Sequence, residues 1–471
     1  MTCSTGRAAP PPDLSQAPTE PASARRWLDG LVDFETAPEG AGEALAAQSV
    51  AAQSVAAQSA AAQSVGAWSP DAVARILRFL GDPQVDLPVI HVTGTNGKGS
   101  VVAIAASLLE AAGLSTTAYT SPDQGAVEER LSARQAPVSP ATLDGLLELV
   151  RHAAEAAGVV PSRFEALTAA ALRFAGDEAP DAALVEVGLG GRDDATNVVD
   201  ARVAVVTNVG GDHLDLIGPT LADVARHKGG IVGPGSVAVV GEERPELVAL
   251  LLERGPRDAW LVGRDFGVRE SRRAVGGRTV ELWTRERTYG ELFLPLAGAH
   301  QATNAAIALA AVEAFVGAPL SEEVVGEGLA AVRVRGRLEV AHRRPVVLLD
   351  GAHNPPAAAA LAAALDEDWG GCAGWLLVIG MVGRRSPEEF LAALDLSRFR
   401  GAWVAAPAVA RAVPARRVAA AVAAHGMAVS SEVDVAAAVR AALRAARPDE
   451  AVLVTGSFRV VAEARNELGA P

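Results

Sequence analysis

The sequence predicts an α/β protein in two parts, each built on a sheet of mostly parallel strands. Three observations point there. Apolar runs at Leu87–Thr93, Ala182–Val187, Val203–Thr207, Ser236–Val240, Val346–Leu349, Trp375–Ile379 and Ala451–Val454 are continuous rather than alternating, as strands buried on both faces are. Ala-rich helical stretches separate them, the order of a doubly wound sheet. Aromatic residues make up only 4% of the chain, which disfavours an all-β sandwich.

At 471 residues the chain exceeds one compact core, so two to three domains are expected. Residues 1–25 are rich in Pro, Ala and Ser and are expected to be disordered. A helix from about Ala24 to Val32 follows. Residues 46–65 repeat Ala-Ala-Gln-Ser-Val with one variant. That period is too short for a solenoid and the segment is uncharged, so it reads as a low-complexity insert. Order resumes at Pro70 with the amphipathic helix Asp71–Leu80, stopped by Gly81. Strand Leu87–Thr93 runs into a glycine-rich turn and a helix over Ser100–Ala112. From Trp260 to Leu296, β-formers alternate with charge, as in antiparallel hairpins. Gly336 and its neighbours separate the last helix of the first half from the strand at Val346. The boundary is set there, giving one domain over 26–333 and a second over 334–471.

The net charge of −14 argues against a general nucleic-acid binder. It does not exclude an anionic ligand, because backbone N–H groups and one Lys suffice for a local phosphate site. Two cysteines, Cys3 and Cys372, exclude a disulfide framework in practice and fit a reducing compartment. The N-terminus lacks the apolar core of a secretory signal. The longest apolar helical stretch, Val101–Leu114, is interrupted by Ser107 and Glu110 and is shorter than a membrane span. A cytoplasmic protein is expected, with no membrane or nucleic-acid partner.

The strongest local signal is His91-Val-Thr-Gly-Thr-Asn-Gly-Lys-Gly-Ser100. A strand ends, glycines fall at Gly94, Gly97 and Gly99 around Thr95, Asn96 and Lys98, and a helix begins at Ser100. Glycines let backbone N–H groups converge on an anion, and the helix N-terminus adds positive potential. Lys98 can offset charge that develops on terminal phosphates. The spacing is not the standard P-loop, which has four residues between its glycines and Ser or Thr directly after Lys.

This variant loop resembles the ATP loop of the Mur-ligase superfamily, and within it that of folylpolyglutamate synthase and dihydrofolate synthase. The resemblance runs in order from about Trp27 to Glu467, apart from the repeat. It includes Thr120-Ser-Pro122, Phe164-Glu-Ala-Leu-Thr168, Glu186-Val-Gly-Leu-Gly-Gly-Arg192, Asp194-Ala-Thr-Asn197, Thr207-Asn208 and Asp212-His213. It continues with His227-Lys-Gly-Gly-Ile231, His300-Gln301 with Asn304, Gly336-Arg-Leu-Glu339 and Asp350-Gly-Ala-His-Asn-Pro355. The fold it implies is a P-loop-type doubly wound ATPase domain with a small antiparallel β section, followed by a second Rossmann-like α/β domain.

Glu186 ends an apolar strand, and a carboxylate at the C-terminal end of a parallel strand faces the crevice where such sheets bind ligands. It is an oxygen donor suited to Mg²⁺. His213 follows a second strand by a short loop. The resemblance implies that Glu186, His213 and Ser121 hold Mg²⁺. Lys228 closes a helix, where a cation complements the dipole. The resemblance implies instead that it is carbamylated and holds a second Mg²⁺, although His227 and Gly229 stand where the family has Glu and Ala. In the second half Asn354 reads as the cap of an Ala-rich helix. There the resemblance implies that Asp350 and Asn304 contact the nucleotide, that Arg337 reaches ATP phosphates across the cleft, and that His353 lies near the nucleotide or the incoming glutamate.

Phe164, Glu165, Asp194 and Ala195 match positions that border the pterin site in dihydrofolate synthases. Three departures stand out. After Thr120-Ser-Pro122 the family has His-Leu and an Arg-Phe-Asn-Glu-Arg run, where this chain reads Asp123-Gln-Gly-Ala-Val-Glu-Glu-Arg130. Gly380-Met-Val-Gly-Arg-Arg-Ser386 stands where Asp-Lys-Asp is usual, and Arg335 replaces a Pro. The resemblance implies an ATP-dependent ligase that adds L-glutamate to dihydropteroate, to a folate polyglutamate, or to both, through an acyl phosphate, with ATP and Mg²⁺ and as a monomer. The alternative is a Mur-type ligase joining another carboxylate and amino acid.

Overall fold

The computed structural model describes residues 21–33, 69–212, 214–383 and 385–470. The repeat at 46–65, residues 1–20 and His213 lie outside them. Helix α1 (Pro21–Asp29) begins before Ala24, so residues 21–25 belong to a helix rather than to a disordered tail. The reason is packing: Ala24 and Leu28, one turn apart, are buried, and Arg25 bonds Glu128 at 2.8 Å and also Asp144.

The chain then forms α2 (Asp71–Phe79), β1 (Val89–Thr93), α3 (Lys98–Ala111), β2 (Thr116–Tyr119), β3 (Leu131–Ala133), β4 (Ala136–Pro137), α4 (Pro140–Ala157) and α5 (Arg163–Glu178). Next come β5 (Ala182–Glu186), β6 (Ala201–Val206), α6 (Leu214–Ile217), α7 (Leu221–Lys228), β7 (Val237–Val240), α8 (Pro245–Leu251) and β8 (Asp258–Leu261). The strands make one sheet in the order β4-β3-β2-β5-β1-β6-β7-β8, parallel from β2 to β8. Every residue of β1 and β5 is buried, so both faces are covered. Alternation along β1 divides its side chains between two cores. Ile90 and Val92 join the layer with α3, while Val89 joins the one with α1, α2, α4 and α5.

Of the segment expected to form hairpins, only β9 (Gly267–Ala274), β10 (Gly277–Trp283) and β11 (Thr288–Leu294) are antiparallel. Trp260 lies in β8, which extends the parallel sheet. Helices α9 (Ala299–Val316) and α10 (Glu322–Ala331) close the first unit. Ser107 on α3 donates to the carbonyl of Gly328 on α10 at 2.7 Å, a close helix approach.

The second unit runs β12 (Glu339–Arg343), β13 (Val346–Leu349), α11 (Pro355–Trp369), β14 (Trp375–Ile379), α12 (Pro387–Leu394), β15 (Phe399–Val404), α13 (Ala415–Ala424), β16 (Val429–Ser431), α14 (Val435–Ala445), β17 (Ala451–Thr455) and α15 (Phe458–Leu468). Its sheet, β12-β13-β17-β14-β15-β16, is parallel except for β12. Leu348, Leu377 and Leu453 fill one face, and Val347, Leu376 and Val452 the other. The chain passes between units after Ala331. Fully buried Arg278 on β10 ties them, at 2.6 Å from both Glu367 and Asp368 on α11. No helix among the described residues is long and apolar enough to cross a membrane.

Candidate active site

β1 is central in its sheet, and its C-terminal end delivers the glycine-rich turn. Helix α3 begins at Lys98 rather than Ser100, so Lys98 and Gly99 already belong to its first turn, whose N–H groups lack intrahelical acceptors. Gly97 has φ +87°, and a Cβ there would lie 2.5 Å from Asn304 Oδ1 on α9. Only glycine meets both demands. Lys98 Nζ donates back to the Gly94 carbonyl at 3.1 Å.

The loop is held from β6. Asn208 Oδ1 accepts from Asn96 N (3.0 Å) and Thr95 N (3.2 Å), its Nδ2 donates to Asn96 O (3.2 Å), and Thr207 Oγ1 donates to the same carbonyl (2.6 Å). Thr207-Asn208 stood in the sequence as part of a resemblance with no role attached. The signal that identifies it is a polar pair directly after a buried strand next to β1. Asn304 donates to Gln301 Oε1 at 3.0 Å, and the buried Ser100 hydroxyl has no protein partner.

The register pairs Val92 with Glu186, which sets that carboxylate beside the loop. Burial raises Glu186 to about 7, against the opposing pull of Lys98, the Ser121 N–H (3.3 Å), Arg337 and Arg130. Lys228 is the last residue of α7 and is buried. Burial, then the charge of Lys98, pushes its ammonium down to about 7 against Asp212 and Asp194. Among the described residues no group of three His, Cys, Asp or Glu forms a metal cluster. One buried carboxylate with the Ser121 and Ser100 hydroxyls beside a phosphate loop is nevertheless a donor set that suits Mg²⁺, which takes few carboxylates and completes its shell with phosphate oxygens and water. The raised pKa of Glu186 marks a carboxylate whose charge the protein alone leaves incompletely compensated.

In the second unit, Asp350 directly follows β13 with both oxygens engaged by backbone, one by Leu338 N (2.9 Å) and one by Ala352 N (2.8 Å). In the structure it braces the two turns that carry Arg337 and His353, because a buried carboxylate at a strand end captures the nearest free N–H groups. Arg337 lies 4.6 Å over the Phe458 ring. Desolvation lowers its pKa, while the charges of Asp350 and Glu186 pull the other way. His353 Nδ1 bonds the Gly351 carbonyl at 2.8 Å, and Nε2 is 3.9 Å from Asp212 Oδ2. Burial and the charge of Arg385 push His353 down to about 3, so the ring is neutral. Asn354 caps α11 as expected, accepting from Ala357 N at 3.0 Å. Its Nδ2 also reaches Asn96 Oδ1 and Asp212 Oδ2, both at 3.1 Å. The second unit therefore touches the phosphate loop directly, and Asp212 is a junction that the sequence left without a role.

The four residues matched to the acceptor side fall on one flank. The Phe164 ring is 6.0 Å from that of Tyr119 and fills the space a side chain at Gly188 would take. Asp194 accepts from Leu189 N (2.8 Å), Thr196 N (3.0 Å) and Thr196 Oγ1 (2.5 Å). Glu165 closes a capping box with Ser162 at the start of α5. Ala195 is buried in the core.

Residues 92–312 match the Mur ligase middle domain, and residues 336–458 the Mur ligase glutamate ligase domain. The chain is 38% identical to the dihydrofolate synthase/folylpolyglutamate synthase of Mycobacterium tuberculosis, over 69% of its own length and 71% of the relative's. It superposes on a crystal structure of Mycobacterium tuberculosis folylpolyglutamate synthase complexed with ADP and AMPPCP with TM-score 0.81 and 35% identity, covering 86% of this chain and 96% of that one. A bifunctional folylpolyglutamate synthase/dihydrofolate synthase solved with Mn, AMPPNP and L-glutamate bound gives TM-score 0.76 and 28% identity, over 85% and 94% of the two chains.

Proposed function

The chain belongs to the Mur ligase family, in its folylpolyglutamate synthase/dihydrofolate synthase branch, and on that premise we propose how its residues divide the work. It is an ATP-dependent ligase that adds L-glutamate in folate metabolism. We assign 26–333 to ATP binding and 334–471 to the ligase domain, in a cytoplasmic monomer. The acceptors are dihydropteroate and folate polyglutamates.

A carboxylate is a poor electrophile, so ATP must activate it. The acceptor carboxylate attacks the γ-phosphorus, the bond to the β-phosphate oxygen breaks, and ADP leaves an acyl phosphate. The glutamate amine attacks the acyl carbon, the C–N bond forms, and phosphate departs. Gly94, Thr95, Asn96, Gly97, Gly99 and Ser100 cradle the phosphates, and Lys98 and Arg337 offset their developing charge. Asn304 and Asp350 border the nucleotide, Asp350 chiefly by bracing Arg337. Neutral His353, with Nδ1–H held by Gly351, presents Nε2 beside Asp212 to accept a hydrogen bond from the incoming amine, whose proton leaves with the departing phosphate. Phe164, Glu165, Asp194 and Ala195 form the acceptor flank.

Ser121, Glu186 and His213 would hold Mg²⁺, which supplies Lewis-acid stabilisation of phosphoryl oxygens. Lys228, with an unprotonated fraction at neutral pH, can add to CO₂ with loss of a proton, and the resulting carbamate would hold a second Mg²⁺.

The observation that carries this reading is that Asn354 of one unit donates to Asn96 in the phosphate loop of the other, at 3.1 Å. Neither unit alone assembles the site, and closure excludes water from an acyl phosphate. The test is ATP- and glutamate-dependent product formation, read by mass, with dihydropteroate and tetrahydrofolate offered separately. A mass gain of one glutamyl unit on both is expected, and neither gaining it would overturn the reading.

A further inference from the structure

The segment that follows Thr120-Ser-Pro122 reaches across the cleft at its first two residues, Asp123 and Gln124. Asp123 is buried and sits 2.9 Å from Arg130 in its own unit and 2.7 Å from Arg459 on α15. Arg459 adjoins Phe458, the ring on which Arg337 lies. Gln124 reaches the same place from the other side. Its Nε2 donates to the Arg335 carbonyl at 2.9 Å, and its Oε1 accepts from Arg465 at 3.0 Å. Arg465 also bonds Glu339 at 2.6 Å, and Glu339 accepts from Gly336 N at 2.6 Å. Gly336 has φ +63°, and a Cβ there would lie 3.0 Å from Gln124 Oε1. Two residues upstream of Asp123, Ser121 N bonds Glu186.

We propose that Asp123 and Gln124 are positioning residues that seat Arg337 on the Phe458 ring at the cleft. Asp123 fixes the aromatic platform through Arg459, and Gln124 fixes the turn from Arg335 to Glu339 that projects Arg337. Both contacts cross between units and Ser121 N bonds Glu186, so the segment links the metal-side carboxylate to the turn that carries the second unit's arginine. Neither side chain needs to touch substrate for this. The effect is on how well Arg337 is held, and small misplacements of a charge-stabilising group lower turnover. The inference rests on the assignment of Arg337 made above.

The test uses Arg459→Met with Gln124→Leu, which cut the cross-cleft bonds and leave the buried Asp123–Arg130 pair intact. The double substitution is expected to lower kcat about tenfold, with KM for ATP changed less than about twofold. In an Arg337→Ala background it is expected to change kcat less than about twofold, because there is no guanidinium left to seat. An unchanged kcat, or a loss that multiplies with that of Arg337→Ala, overturns the inference while leaving the ligase reading in place. If the wild-type protein transfers glutamate to neither acceptor, the ligase reading falls. Amide hydrogen exchange then decides alone: faster exchange at residues 335–339 in the double variant supports the inference, and unchanged exchange there overturns it.

Discussion

The phosphate loop and the Arg337 turn face each other across one cleft and are built in opposite ways. The loop is local: ten consecutive residues run from strand to helix, and Thr207 and Asn208, directly after β6, hold it. The turn is assembled from a distance. Gln124, Asp350, Arg465 and the Phe458 ring all converge on residues 335–339. A site made of one local half and one half assembled by long-range contacts depends on both units being held together, as Asn354 on Asn96 and Arg278 on Asp368 hold them.

Breaking the local half has the largest effect. Lys98→Ala is expected to lower kcat about a thousandfold, measured as ADP release at saturating acceptor, with melting temperature unchanged. Next is the buried tie between units. Arg278→Met leaves Asp368 without its guanidinium, and a loss of about 3 kcal/mol of stability is expected in denaturant titration. A third effect separates the halves by pH. Burial, with Arg337 and Arg278 nearby, holds His300 down to about 4. The folded state therefore binds fewer protons than the unfolded one between pH 6.5 and about 4, so stability falls as pH falls through that window. His300→Gln should remove about 2 kcal/mol of that acid loss, read from melting temperature at pH 4.5 and pH 7.5. Asn208→Ala sharpens the comparison from the loop side. It removes three hydrogen bonds to Thr95 and Asn96, and nucleotide affinity is expected to fall about tenfold by calorimetry. The smallest effect belongs to Arg335→Ala, which loses an exposed 3.4 Å pair with Glu129. A change under about 0.5 kcal/mol is expected there.

What the sequence revealed follows the same division. Buried strands, the glycine loop and the Asn354 cap are written in neighbouring residues, and the structure has them within a residue or two. β8 misled because Trp260 opens a stretch of charge alternation, yet its partner is β7. Asp350 and Glu165 look like free carboxylates in sequence, and only the fold reveals the N–H groups they accept from. Asp212, Asn208 and the Asp123–Arg459 pair depend on partners more than a hundred residues away, a separation that no local pattern encodes.

The central claim is that the acceptor carboxylate takes the γ-phosphoryl group before glutamate is joined. It is tested by running the reaction with dihydropteroate labelled with ¹⁸O in its carboxylate and reading the released phosphate by mass. One ¹⁸O in the phosphate for each amide formed is the predicted result. Amide formation with unlabelled phosphate would contradict the acyl-phosphate route and the roles given to Lys98 and Arg337 with it.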